Sequence, residues 1–226
     1  MTPYNICQNK CCHFTLTRCV LLCIIELIKR RKEGYEMVKY PKFIRDLINK
    51  HSINEIIDFN DPVVIDQVEH RFMIGYNLSL GVEQENKLIV IMMNPSKANE
   101  NESDATINRL LNYANCHNYT KLIVLNSLPV YLTRSSDLSN DMILKAQFDK
   151  NIDTIRATVS REYEIVLATG NPVIRKGAEA IAKIYEILEG IEVKGFDTGL
   201  TNMGYTKHLR MVSNEEMERD LVNLII

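Results

Sequence analysis

The chain has 226 residues, 46% of them hydrophobic, and a formal net charge of −2. That composition supports a sizeable buried core and excludes a disordered, collagen-like or low-complexity chain. The slightly acidic balance also excludes a broad basic face for coating nucleic acid, so any such contact must be local.

In chain order, residues 1–36 come first and differ from the rest of the chain. They hold all but one of the six cysteines (Cys7, Cys11, Cys12, Cys19, Cys23) and a basic run from Lys29 to Lys32. The apolar segment from Val20 to Ile28 contains Glu26 and is far shorter than the roughly 20 residues that span a bilayer. Its charges mainly lie after the apolar run, whereas a secretory signal carries them ahead of it. A zinc site or an interfacial amphipathic helix are alternatives, but the cysteines lack the paired C-x2-C spacing of zinc modules. We expect instead a non-native or disordered leader. Lys32-Glu33-Gly34 can be encoded by a purine-rich ribosome-binding run, and Met37 stands at the spacing of a start codon. Residues 37–226 then form a single α/β domain. Cys116 is the only cysteine there, so no disulfide framework is expected and a cytoplasmic location is.

From Met37 the pattern predicts short helices at about Lys42–Lys50 and Asn54–Phe59. Arg71 to Leu78 alternates loosely and precedes a turn from Gly81 to Asn86, which predicts an antiparallel edge strand hairpinned onto the next one. That next strand is the most informative stretch: Leu88 to Met93 is apolar without interruption and stops at Asn94-Pro95-Ser96. A parallel strand covered on both faces loses its alternation and reads this way. Lys121–Leu125, ending in Asn126, and Glu164–Ala168, ending in Thr169-Gly170-Asn171-Pro172, repeat the pattern. Between them lie helical stripes: Ile107, Leu110, Leu111 and Ala114 behind a Ser103 or Asp104 cap, then Leu144, Phe148, Ile152, Ile155 and Val159. A last stripe, Ile174, Ala178, Ile181 and Tyr185, comes after Pro172, which is expected in a first helical turn. Strand–helix alternation implies right-handed crossovers and a three-layer α/β sandwich with a mainly parallel central sheet.

Ligands of open α/β sheets sit beyond the carboxyl ends of the strands. Asn94, Pro95, Ser96 and Asn126 therefore occupy the expected site, with Gly170 and Asn171 at the third strand end. Each has a plainer use. Asn-Pro is a common turn pair, Ser96 a turn hydroxyl without a G-x-S-x-G setting, and Asp104 a helix cap. Gly170-Asn171-Pro172 serves a tight turn, or else its amides hold a phosphate. His208 has no partner visible in sequence, and His51, His70 and His117 are dispersed without metal-ligand spacing. No metal and no cofactor are expected.

Arg71, Met93-Asn94-Pro95-Ser96-Lys97-Ala98, Asp104-Ala105-Thr106, the strand end at Asn126, Thr133, Leu138, Gly170 and His208-Leu209 together resemble the bacterial and phage family called domain of unknown function 1643. The chain departs from the family pattern at Thr169, which stands for a Trp, at Lys97, which stands for a Thr, and around His208, where both prolines are missing. A looser resemblance, in kind and chain order, joins Asn94-Pro95-Ser96, Asn126 and His208 to motifs of the uracil-DNA glycosylase superfamily. That resemblance implies a uracil-DNA-glycosylase-like fold and a metal-independent N-glycosidic hydrolase acting on a nucleobase, nucleotide or DNA. Asn94, Asp104 and His208 are its candidate catalytic residues: Asn94 orients a water, Asp104 is a general base, and neutral His208 donates to a developing oxyanion. Pro95, Ser96, Asn126, Gly170 and Asn171 are its candidate substrate-binding residues, Asn126 offering the donor and acceptor that read a base edge. A non-catalytic nucleotide- or base-recognition module, used in phage–host conflict, is the alternative. Membrane association is not expected, and the sequence says nothing of oligomeric state.

Overall fold

A computed structural model of the chain describes residues 37–59, 62–132, 137–196 and 199–224. The expected leader and Thr133 lie outside the described residues. Helices α1 (Lys42–Lys50) and α2 (Ile53–Ile56) lead into β1 (Ile57–Phe59), β2 (Val63–Ile65), β3 (Val68–His70), β4 (Met73–Asn77) and β5 (Lys87–Met92). Then come α3 (Ala105–Cys116), β6 (Lys121–Asn126), α4 (Lys145–Thr158), β7 (Glu164–Leu167), α5 (Arg175–Leu188), β8 (Val193–Gly195), α6 (Asn214–Met217) and β9 (Val222–Asn223).

The uninterrupted apolar run takes the middle of a seven-stranded sheet of order β1-β4-β6-β5-β7-β8-β9. Strands β6, β5, β7 and β8 are parallel, while β1, β4 and β9 run antiparallel to their neighbours. Alternation along β5 divides its side chains between two cores. Leu88, Val90 and Met92 pack with Leu122, Val124 and the apolar stripe of α3, while Ile89 and Ile91 pack with Ile123, Leu125 and residues of α4 and α5. Leu88 through Ile91 are fully buried, and each such side chain contributes about 1.5–3 kcal/mol by leaving water. Helices thus cover both faces of a mostly parallel sheet. Among the described residues no helix is long and apolar enough to cross a membrane.

At the far end of the sheet from the Asn94 turn, Glu164 opens β7 and ties it to β8. Lys194 Nζ reaches Glu164 Oε1 at 2.6 Å, and the Tyr119 hydroxyl donates to Oε2. Burial by itself would raise the Glu164 carboxyl, but these bonds overcome it and hold it below the usual range.

Several expectations are corrected. Strand β4 pairs with β6, not with β5, and β1 covers its outer side, so it is no edge strand. Both flanks of β5 are taken by the parallel runs β6 and β7, leaving the outer side of β6 for β4. The expected helix Asn54–Phe59 stops at Ile56. Ile57 turns inward, Asp58 outward and Phe59 partly inward, an alternation that suits a strand. Pro172 precedes α5 instead of entering its first turn, because the helix begins at Arg175 behind Ile174. The buried stripe of this helix is Gly177, Ala180, Ile181, Ile184 and Leu188. Strands β8 and β9 are too short, and Val193-Lys194-Gly195 too mixed, to announce themselves.

Candidate functional site

Beyond the ends of β5 and β6 lies a small hollow lined by residues of both strands. Met92 and Asn126 are register partners on adjacent parallel strands, so their side chains leave the sheet on the same face, and both line it. Asn94, Pro95 and Ser96 form one wall, with Asn94 Nδ2 donating to the Pro95 carbonyl at 3.2 Å. Phe59, Met92, Ile107 and Val124 supply apolar surface, and Ile107 is there because Asp104 caps α3 just ahead of it. The cap is made by Asp104 Oδ1, which accepts from the Thr106 and Ile107 amides at 2.7 and 2.9 Å. Ser103, the alternative cap, instead donates to Asn108 Oδ1 at 2.6 Å.

Asn126 is 5% exposed, and its carboxamide makes no hydrogen bond among the described residues while its polar atoms stay open to the hollow it lines. A donor and an acceptor that no protein group holds and that face a hollow are available to a ligand. The backbone beneath it is held firmly. Asn151, fully buried on α4, donates from Nδ2 to the carbonyls of Asn126 and Ser127 at 2.8 and 3.1 Å. Ser127 and Leu128 amides in turn donate to the Met92 and Met93 carbonyls, each at 2.8 Å, so the exits of β5 and β6 travel together.

Arg71 closes the other side. Its Nη1 donates to the carbonyls of Ser96 and Ala98 at 2.9 and 3.0 Å, its Nε pairs with Glu69, and the Tyr131 ring lies 4.3 Å from the guanidinium carbon. Sequence reasoning set Arg71 at the head of a motif but assigned it no role, and it passed over Asn151. The legible signal for Asn151 was a polar residue on the apolar stripe of Phe148, Ile152 and Ile155. For the grip of Arg71 on the turn no local signal exists, since the carbonyls it holds lie 25 and 27 positions away.

The remaining candidates stand outside the hollow's lining. Asp104 is committed to its cap, although its Oδ2 is buried without a partner among the described residues. Gly170 and His208 meet each other: a Cβ built on Gly170 would sit 2.9 Å from His208 Cβ and 3.6 Å from Met93 Cε. The Gly170 amide donates to the Thr206 carbonyl at 2.9 Å, and Asn171 Oδ1 accepts from Thr201 Oγ1 at 2.5 Å. This second cluster therefore abuts Met93, next to the Asn94 turn, without entering the hollow. Arg109 holds the chain that follows His208. Its guanidinium donates to the carbonyls of Leu209, Val212 and Ser213 at 2.7, 2.7 and 3.1 Å.

Burial, aided by the Arg210 charge, pulls the His208 imidazole down to a pKa of about 4, so it is neutral at pH 7. Its Nδ1 accepts from the Arg210 amide at 3.2 Å, which leaves the proton on Nε2. Because the unfolded imidazole takes a proton that the folded one refuses, stability falls as pH drops below about 6.5, and the loss is complete near pH 4. The expected cost is on the order of 3 kcal/mol. Denaturant unfolding across that range is expected to show the step in the wild type and not in His208→Gln; an equal step in both would assign it to other groups.

Comparison with known families decides the affiliation: the family described as Protein of unknown function (DUF1643) matches residues 76–208. The chain belongs to the DUF1643 family. The DUF1643 segment includes Asn94–Ser96, Asp104, Asn126, Gly170 and Asn171 and closes on His208, whereas Arg71 lies just ahead of it. Neither the curated proteins nor the solved structures gave a match.

Proposed function

We propose that this DUF1643 protein binds a nucleobase, free or within a nucleotide or DNA, in the strand-end hollow and hydrolyses its N-glycosidic bond, as a uracil-DNA-glycosylase-like enzyme. The observation that carries the reading is the buried, partnerless Asn126 carboxamide beside the Asn94-Pro95-Ser96 wall. A donor and an acceptor on one planar group match the edge of a base, and the apolar lining suits its faces. The reaction adds water oxygen to C1′ as the C1′–N bond breaks, with the bond electrons leaving on the base. Asn94 orients that water through its amide oxygen, but an amide takes no proton, so the proton passes to the departing base. Asn126 and Arg71 are the donors for the charge that develops there. His208, outside the hollow, keeps the Gly170 turn in place, and Asp104 keeps α3 in place.

A second reading, base recognition without catalysis, is favoured by one observation. Among the described residues that line the hollow, Arg71 is the only one with an ionisable side chain, so no carboxylate or imidazole of the lining is at hand to move a proton. Incubating the protein with uracil-containing DNA and with nucleosides separates the two. Release of free base, reduced about 100-fold or more in Asn94→Ala, supports hydrolysis. Release that persists in Asn94→Ala removes Asn94 from the role given it. Ligand-induced thermal stabilisation without release supports recognition alone.

A further inference from the structure

Arg71 is 9% exposed, yet its guanidinium is only partly spent on the protein. Nε is engaged by Glu69, and Nη1 gives its two N–H groups to the carbonyls of Ser96 and Ala98. Nη2 has no partner among the described residues and is not sealed from the hollow that Arg71 lines. The Tyr131 and Phe59 rings, at 4.3 and 5.4 Å from the guanidinium carbon, keep the group from swinging away. A rigid pair of N–H donors and the Asn126 carboxamide therefore open onto the same space.

Resting on the base-binding reading, we infer that Arg71 makes the hollow selective for bases that carry a keto oxygen flanked by a ring N–H, over their amino counterparts. Arginine has donors and no acceptor. A keto oxygen accepts from Nη2 while the ring N–H donates to Asn126 Oδ1. An exocyclic amino group in that place sets donor against donor and leaves both unmade in a buried setting. A phosphate is the poorer occupant, because the Glu69 carboxylate already offsets the guanidinium charge and would repel a second anion. A neutral carbonyl dipole needs no counter-charge.

Two nucleoside pairs differ essentially by this one group: uridine against cytidine, and inosine against adenosine. Thermal shift and calorimetric titration of the full chain with all four are expected to show the keto member binding at least about tenfold tighter in each pair, the size of one unmade buried hydrogen bond. Arg71→Lys, which keeps the charge but loses the planar fork, is expected to bring the ratio toward one. Should that variant fail to fold, the wild-type ratios still decide. Equal binding within both pairs overturns the inference and leaves base binding intact, as does binding of inorganic phosphate that Arg71→Lys abolishes. Silence from all four nucleosides defeats the base-binding reading and this inference with it.

Discussion

Gly170→Ala is expected to destabilise the protein by about 2–4 kcal/mol, measured by denaturant unfolding. Two costs add. The backbone at Gly170 has φ of +68°, in the left-handed region where a Cβ costs about 1–2 kcal/mol. The new methyl would also sit 2.9 Å from His208 Cβ, an atom attached directly to the backbone and so unable to rotate aside. Arg109 pins the segment after His208 through three carbonyls, which removes the easy route of relaxation. Gly81 is the control. Its φ is +74°, but nothing among the described residues lies within 4 Å of a built Cβ, so Gly81→Ala is expected to show the dihedral cost alone. Equal losses at the two positions would mean that the His208 segment gives way and that the Gly170 contact constrains nothing.

Asn126→Leu is expected to leave stability unchanged or raise it by about 1 kcal/mol, while weakening nucleoside binding by about 100-fold or more. The two effects separate because the side chain is buried without a protein partner among the described residues. Leucine has nearly the same shape and removes an amide that no described protein group holds. The bonds from Asn151 go to the backbone carbonyls of Asn126 and Ser127, so the substitution leaves them in place. What is lost is the donor–acceptor pair offered to the hollow. A stability loss above about 2 kcal/mol would show the amide to be structural, and the hollow would then have no reader for a base edge. Residues kept at a cost to stability mark a site, and this pair of measurements tests for that signature.

His208 illustrates how a residue can be found by sequence and placed differently by the fold. Its position near the C-terminus, in order after Asn94, Asn126 and Gly170, suggested a rim shared with all three. The fold does seat it on Gly170, but with Met93 between that contact and the Asn94 turn, and outside the lining of the Asn126 hollow. Its neutral imidazole is explained by burial and by Arg210.

The sequence alone determined those features in which the information is local. The apolar run from Leu88 to Met93, bounded by a turn, reads as a covered strand, a polar residue ahead of the Ile107 stripe reads as the cap of α3, and the stripes of α3 and α4 come from the helical repeat. Strand-end chemistry was legible for the same reason: Asn94 and Asn126 terminate parallel apolar runs, and parallel strands deliver their carboxyl ends to one side. Tertiary structure alone decided which flank of β6 received β4, that Ile57–Phe59 left a helix to become β1, and that Arg71, pinned by Glu69, grips the Ser96 and Ala98 carbonyls. Those outcomes depend on competition among sheet edges and on backbone groups distant in the chain, and no periodicity of neighbouring residues records which partner will win.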